Sequence, residues 1–228
     1  STTALLDTDQ GGGEDFGLDG AKDIALSPDG RFLYVTGAVE SKITVFSINI
    51  STGVLTWVEA HVDGGGGVDG LGGARGVALS PDGRHLYAVG FTDNGIAVFS
   101  RNSNTGALTF VEAEIDGASG VDGMAGATDV VVSPDGTNVY VASETENALA
   151  VFTRDVTTGA ITWTTQFVDG ISGVDGLEDV TGLTLSPDGQ NLYATGSTDD
   201  NLAVFTRSLT DGSLTFLEVH TDDTAGVD

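Results

Sequence analysis

The chain has no cysteine, which excludes disulfide staples and thiolate metal centres without fixing a compartment. Cationic side chains are scarce too: 8 Lys and Arg stand against 34 Asp and Glu, a formal charge of -26. Such a surface repels nucleic acid phosphates and anionic bilayers, so neither nucleic acid nor membrane insertion is expected. It suits a saline habitat or divalent cations. No apolar run approaches the roughly 18 residues of a membrane-spanning helix, and no useful length carries the 3.6 period of a helix. With 39% apolar residues and 34 glycines, the sequence is too hydrophobic and too patterned for a disordered acidic tail. Ser1 falls inside patterned sequence with no leader before it, so a processed or excised chain is expected.

What is present is a repeat. The four prolines, Pro28, Pro81, Pro134 and Pro187, each lie in Ser-Pro-Asp-Gly and stand 53 residues apart. All four tyrosines (Tyr34, Tyr87, Tyr140, Tyr193) keep that spacing, as do Phe46, Phe99, Phe152 and Phe205. Trp57, Phe110, Trp163 and Phe216 follow in phase, and Gly53, Gly106, Gly159 and Gly212 complete the register. A fixed period of this length means stacked supersecondary units.

Each unit reads as four short strands. In the first copy they are Asp23 to Leu26, Phe32 to Val35, Ile43 to Phe46 and Leu55 to Glu59. Ser-Pro-Asp-Gly turns the chain after the first strand, because proline presets φ and aspartate and glycine accept the tight backbone that follows. Thr52-Gly53 and its counterparts make the third hairpin. Strands of about five residues between Gly/Asp turns indicate an all-β fold, and four per repeat match a propeller blade. The expected architecture is a β-propeller array of four tandem 53-residue, four-stranded blades, alone or as part of a larger ring. Its bounds are 17–69, 70–122, 123–175 and 176–228, with 1–16 an extra outer-strand segment. The phased aromatic and aliphatic side chains supply the packing between blades.

The Ser-Pro-Asp-Gly-x-x-Leu-Tyr-Val run of residues 27–35 resembles the bacterial YVTN propeller repeat. Phe99-Ser100-Arg101, followed by Thr105-Gly106-Ala107-Leu108-Thr109, is similar to blades of the lactonase-like propeller family. That resemblance covers nearly the whole chain and rests on turns and core residues. It implies seven blades, which at this period take roughly 370 residues. A segment of a longer propeller, two copies sharing one ring, and a four-bladed ring with a spare strand all remain open. The first two are favoured because an open array exposes an apolar blade face.

Two sets of residues could carry chemistry. Glycine-rich loops between blades hold aspartates six apart: Asp63 and Asp69, Asp116 and Asp122, Asp169 and Asp175, with Asp222 and Asp228 in matching phase. Such pairs, with exposed carbonyls, can surround a hard cation, and Ca2+ is the one cofactor this pattern suggests. A structural turn whose aspartates accept backbone N–H bonds is the favoured reading. The second set is the entrance to each innermost strand, where the repeats differ. Lys22, Asp23, Arg75 and Asp129 there could bind a polar or anionic ligand, or form a solvated channel rim. His61 and His220 share a phase three repeats apart and do not converge. Arg101, Arg154 and Arg207, at the ends of third strands, are expected to make weak surface pairs.

The near-identity of the blades favours a non-enzymatic scaffold or binding module, because an enzyme must break symmetry strongly in one place. Its expected location is extracellular or in the cell envelope, and its expected partner is a protein or another copy joined through open blade edges. The resemblance implies the alternative of a hydrolase acting on a small sugar lactone. A self-assembling fibre or surface-layer component is a third reading.

Overall fold

The computed structural model describes residues 16–198 and 200–222. Among them lie sixteen strands in four antiparallel sheets. Blade 1 is β1 (Ala21–Leu26), β2 (Phe32–Gly37), β3 (Lys42–Ile48) and β4 (Leu55–Val62). Blade 2 is β5 (Ala74–Leu79), β6 (His85–Gly90), β7 (Gly95–Arg101) and β8 (Leu108–Ile115). Blade 3 is β9 (Ala127–Val132), β10 (Asn138–Ser143), β11 (Ala148–Arg154) and β12 (Ile161–Val168). Blade 4 is β13 (Val180–Leu185), β14 (Asn191–Gly196), β15 (Asn201–Arg207) and β16 (Leu214–Thr221). Each sheet keeps its strands in chain order, as a blade does. The extra segment proposed at 1–16 lies almost wholly outside the described residues.

Local chemistry explains the hairpins. At the first one, Gly30 N–H donates to the Ser27 carbonyl at 2.8 Å, closing the turn. The Ser27 hydroxyl donates to Asp29 at 2.6 Å and accepts from Phe32 N–H at 3.0 Å. The same bonds recur around Ser80, Ser133 and Ser186.

Neighbouring blades bury one another. Tyr34, Ile43 and Val45 of blade 1 pack on Leu71, Val77, Leu86, Ala88, Ala97 and Phe99 of blade 2. Two further cores fill the seams from blade 2 to 3 and from blade 3 to 4. Each seam contains one polar clamp. Arg101 donates through Nε to the Tyr34 hydroxyl and through Nη1 to the Gly83 carbonyl, while Tyr34 donates to the Gly106 carbonyl at 2.9 Å. Arg154 with Tyr87 and Arg207 with Tyr140 repeat this arrangement.

This corrects the surface role expected for the arginines. They are only 5–8% exposed, because the last residue of each third strand points back into the seam beneath the preceding blade. Burial there demands partners, and the phenol and carbonyls provide them.

Among the described residues, the four blades form an open array rather than a closed four-bladed ring. Ile24 and Leu26 on the outer face of blade 1 are 62% and 56% exposed, and Leu202 on that of blade 4 is 38% exposed.

Candidate functional site at the inner strands

The inner strands β1, β5, β9 and β13 pack side by side. Each pairs with its second strand through a register shift near its start, at Ala21/Ile24, Ala74/Val77, Ala142/Ser143 and Val180/Gly182. A β-bulge leaves residues out of the ladder and re-aims them. Lys22, Asp23 and Arg75 lie at such shifts, whereas Asp129 stays in the ladder opposite Ala142, beside the unpaired Thr128. Lys22, Asp23, Arg75 and Asp129 line one cavity of about 290 Å³, together with Gly76, Thr128 and Thr181. Gly182, the remaining residue in phase, is not part of that lining.

The two carboxylates stitch seams. Asp23 accepts from Ile24 N–H at 2.8 Å and from Val77 N–H of the next blade at 2.9 Å. Asp129 accepts from Val130 N–H and, across the next seam, from Leu183 N–H, both at 2.7 Å. Between them Gly76 allows close approach, since a Cβ there would lie 2.7 Å from the Asp129 Cα. Burial pushes the Asp129 carboxyl up to about 6, against the two amide bonds, with the Asp23 charge adding to the rise. Such a group is poised to exchange a proton near neutral pH.

The cation opposite is held rigidly. Arg75 pairs with Glu144 at 2.7 Å, and its guanidinium carbon sits 3.6 Å from the Phe91 ring centroid. Sequence reasoning missed both partners. They occupy one repeat position, shared with Ala38 and Ser197, and the signal was that variation from small to aromatic to acidic.

The interblade loops show another arrangement. Asp63, Asp116 and Asp169 each accept from a backbone N–H eight residues on, at Leu71, Met124 and Leu177. Those bonds fold the loop that enters the next blade, as the turn reading expects. The remaining oxygens converge with a third carboxylate from the hairpin between the second and third strands. Asp63, Asp69 and Asp93 form one trio, and Asp116, Asp122 and Glu146 another, with ligand atoms within 4.8 Å of one another. Burial and then the Asp93 charge raise the pKa of Asp63. Burial also raises that of Glu146, with Asp116 and Asp122 contributing. Asp169 and Asp175 join no such trio among the described residues; the position in phase with Asp93 and Glu146 is residue 199, outside them. Asp222 joins none either, and Asp228 lies outside the described residues.

Comparison with known proteins corrects the functional expectation. The chain is 35% identical over 95 residues to a 6-phosphogluconolactonase of Formosa agariphila, a match covering 41% of this chain and 25% of that protein. A Lactobacillus plantarum protein superposes with a TM-score of 0.71 at 25% identity, covering 87% of this chain and 54% of that one. A periplasmic gluconolactonase of Pseudomonas aeruginosa does so with a TM-score of 0.70 at 22% identity, covering 87% and 53%. The chain thus spans a quarter of the curated relative and just over half of these structures. The named lactonases, together with a family model described as a lactonase, overturn the scaffold reading and the fibre alternative. Near-identity among blades misled because it reflects seam packing, whereas the asymmetry at the inner strands is confined to a few side chains. That family model matches residues 4–122 and 124–225, nearly the whole chain, and the protein belongs to the lactonase family of seven-bladed β-propellers.

Proposed function

We propose that the chain forms part of a lactone hydrolase whose substrate occupies the inner-strand cavity. The observation that carries this is the placing of Lys22 and Arg75 around the same cavity as Asp129, a carboxyl pushed up to about 6. In carboxylate form Asp129 takes a proton from water as the water oxygen attacks the lactone carbonyl carbon. The ring C–O bond then breaks, and the leaving oxygen receives that proton, giving the open hydroxy acid. Lys22 and Arg75 offset the negative charge on the carbonyl oxygen, with Arg75 oriented by Glu144 and Phe91.

The test is hydrolysis of gluconolactone and 6-phosphogluconolactone, followed by pH-stat above the spontaneous rate. Asp129→Asn and Arg75→Gln should each lower the catalysed rate by ~10²-fold or more, and the rate should rise as pH passes about 6. No acceleration of either lactone would remove the reading.

Two further proposals accompany it. Calcium occupies the Asp63 and Asp116 trios, supported by the convergence of three carboxylates at each. The location is the cell envelope, supported by the acidic composition and by the periplasmic relative in Pseudomonas aeruginosa.

A further inference from the structure

The first two inner strands leave more backbone out of the ladder than the other two. In blade 1, Ala21 pairs with Gly37 and Ile24 with Val35, so Lys22 and Asp23 together face Thr36 alone. Arg75 and Gly76 face Val89 in the same way, whereas blades 3 and 4 leave out only Thr128 and Thr181. A bulge strands backbone groups, and these need other partners once water is excluded.

In blade 1 that partner is a side chain. Thr36, on β2 and 0% exposed, accepts through Oγ1 from the Asp23 N–H at 3.1 Å. The same hydroxyl donates across the seam to the Arg75 carbonyl, with the Asp23 carbonyl, at 3.3 Å, the other acceptor in reach. One buried hydroxyl thus joins the bulge that carries Asp23 to the bulge that carries Arg75. Blades 2 and 3 have Val89 and Ala142 at that repeat position, and only blade 4 repeats the threonine, at 195. Arg75 is therefore gripped from both flanking blades. Thr36 of blade 1 holds its backbone, and Glu144 of blade 3 holds its guanidinium over the Phe91 ring.

We infer that Thr36 is a positioning residue for the inner-strand cavity, its hydroxyl setting where Asp23 and Arg75 stand. It lies outside the cavity lining and acts through those two residues, which are part of it. Its catalytic consequence rests on the lactone-hydrolase reading; the placing of the two residues does not. Without the hydroxyl, the Asp23 N–H and the Arg75 carbonyl lose their shared partner and the two bulges lose their common anchor. Displacing a charge-stabilising group by about 1 Å can cost roughly 10²-fold in rate.

The experiment compares Thr36→Val and Thr36→Ala, which install the residues of blades 2 and 3, with Thr36→Ser, which keeps the hydroxyl. Thr44→Val is the control, because it removes an equally buried hydroxyl of blade 1 that donates to the Phe16 carbonyl, at 2.5 Å, rather than to a cavity residue. With gluconolactone as substrate, Thr36→Val and Thr36→Ala should lower kcat by ~10-fold or more with KM little changed. Thr36→Ser should restore kcat, and Thr44→Val should leave it unaltered. A second readout needs no activity: the Arg75 Nε–H signal in a proton–nitrogen correlation spectrum, identified by its loss in Arg75→Gln. The Phe91 ring displaces that signal from the free-arginine position. Thr36→Val and Thr36→Ala should move it back, while Thr36→Ser and Thr44→Val leave it in place. An Arg75 signal unmoved by Thr36→Val and Thr36→Ala would overturn the inference, as would an equal loss of kcat in Thr44→Val. Absence of lactone hydrolysis in the unaltered chain would remove the hydrolase reading instead, and the Arg75 signal would then decide the role of Thr36 by itself.

Discussion

Arg207 Nε donates to the Tyr140 hydroxyl at 2.7 Å across the seam between blades 3 and 4, and that hydroxyl donates onward to the Gly212 carbonyl, also at 2.7 Å. Burial pushes the Tyr140 phenol up to about 12, against the Arg207 charge and hydrogen bond, so the hydroxyl keeps its proton and can accept and donate at once. Deleting it strands two buried partners. Tyr140→Phe should therefore cost about 2 kcal/mol in urea denaturation. Tyr193→Phe, in the same phase without the clamp, should cost less than about 0.5 kcal/mol.

The inner strands should be similarly unequal. Gly76→Ala drives a methyl against Asp129 backbone atoms at 2.7 Å, where no side chain can give way. A loss of about 1–3 kcal/mol is expected, with weaker ligand binding at the cavity. Gly182→Ala meets only the Thr195 side chain and should be nearly neutral. Paired denaturation curves check both.

A pH dependence is expected at the seam between blades 2 and 3. Arg154 Nη2 lies 2.7 Å from His85 Nδ1, so the guanidinium donates and that ring nitrogen keeps its lone pair. Burial, followed by the Arg154 charge, lowers the His85 pKa from 6.5. Just below pH 6.5 the unfolded chain then binds more protons than the folded one, and stability falls as pH drops. His85→Asn, which installs the residue found at 138 and 191, should remove this slope. Asp129 acts in the opposite sense: its carboxyl is raised to about 6, so its contribution is lost as pH rises toward 6. The difference between wild-type and variant melting curves, pH by pH, isolates the histidine.

Metal dependence is checked by melting in excess EDTA and then in millimolar calcium at constant ionic strength. Calcium at ~100 times its dissociation constant should stabilise by about 2.7 kcal/mol per occupied site. Asp93→Asn and Glu146→Gln should each remove one site's share. An unchanged melting curve would leave Asp63 and Asp116 with their hydrogen-bonding role in the loop alone.

The fold was legible because its determinants are local and repeated four times. Ser27, Pro28, Asp29 and Gly30 make their turn within six residues, and strand alternation needs no distant information. The candidate site was half legible. Lys22, Asp23, Arg75 and Asp129 stood out as variation at two adjacent positions of an otherwise regular repeat, and the side-by-side packing of the inner strands brings them together. Phe91 and Glu144 were invisible as partners of Arg75, because one reaches it from the far end of its own blade's second strand and the other from the next blade. The third carboxylate of each trio was hidden for the same reason: Asp93 meets Asp63 only after the loop has crossed to the next blade.

The sequence by itself determined the period, the strands, the turns and which residues face a seam, since all of these follow from spacing and from side-chain preferences over a few bonds. Only the tertiary structure decided what each seam-facing residue meets. Arg101, taken for a surface cation, became a buried clamp because the fold placed a phenol from the preceding blade within hydrogen-bonding reach. Asp129, one aspartate among many, acquired a carboxyl at about 6 because packing removed its water.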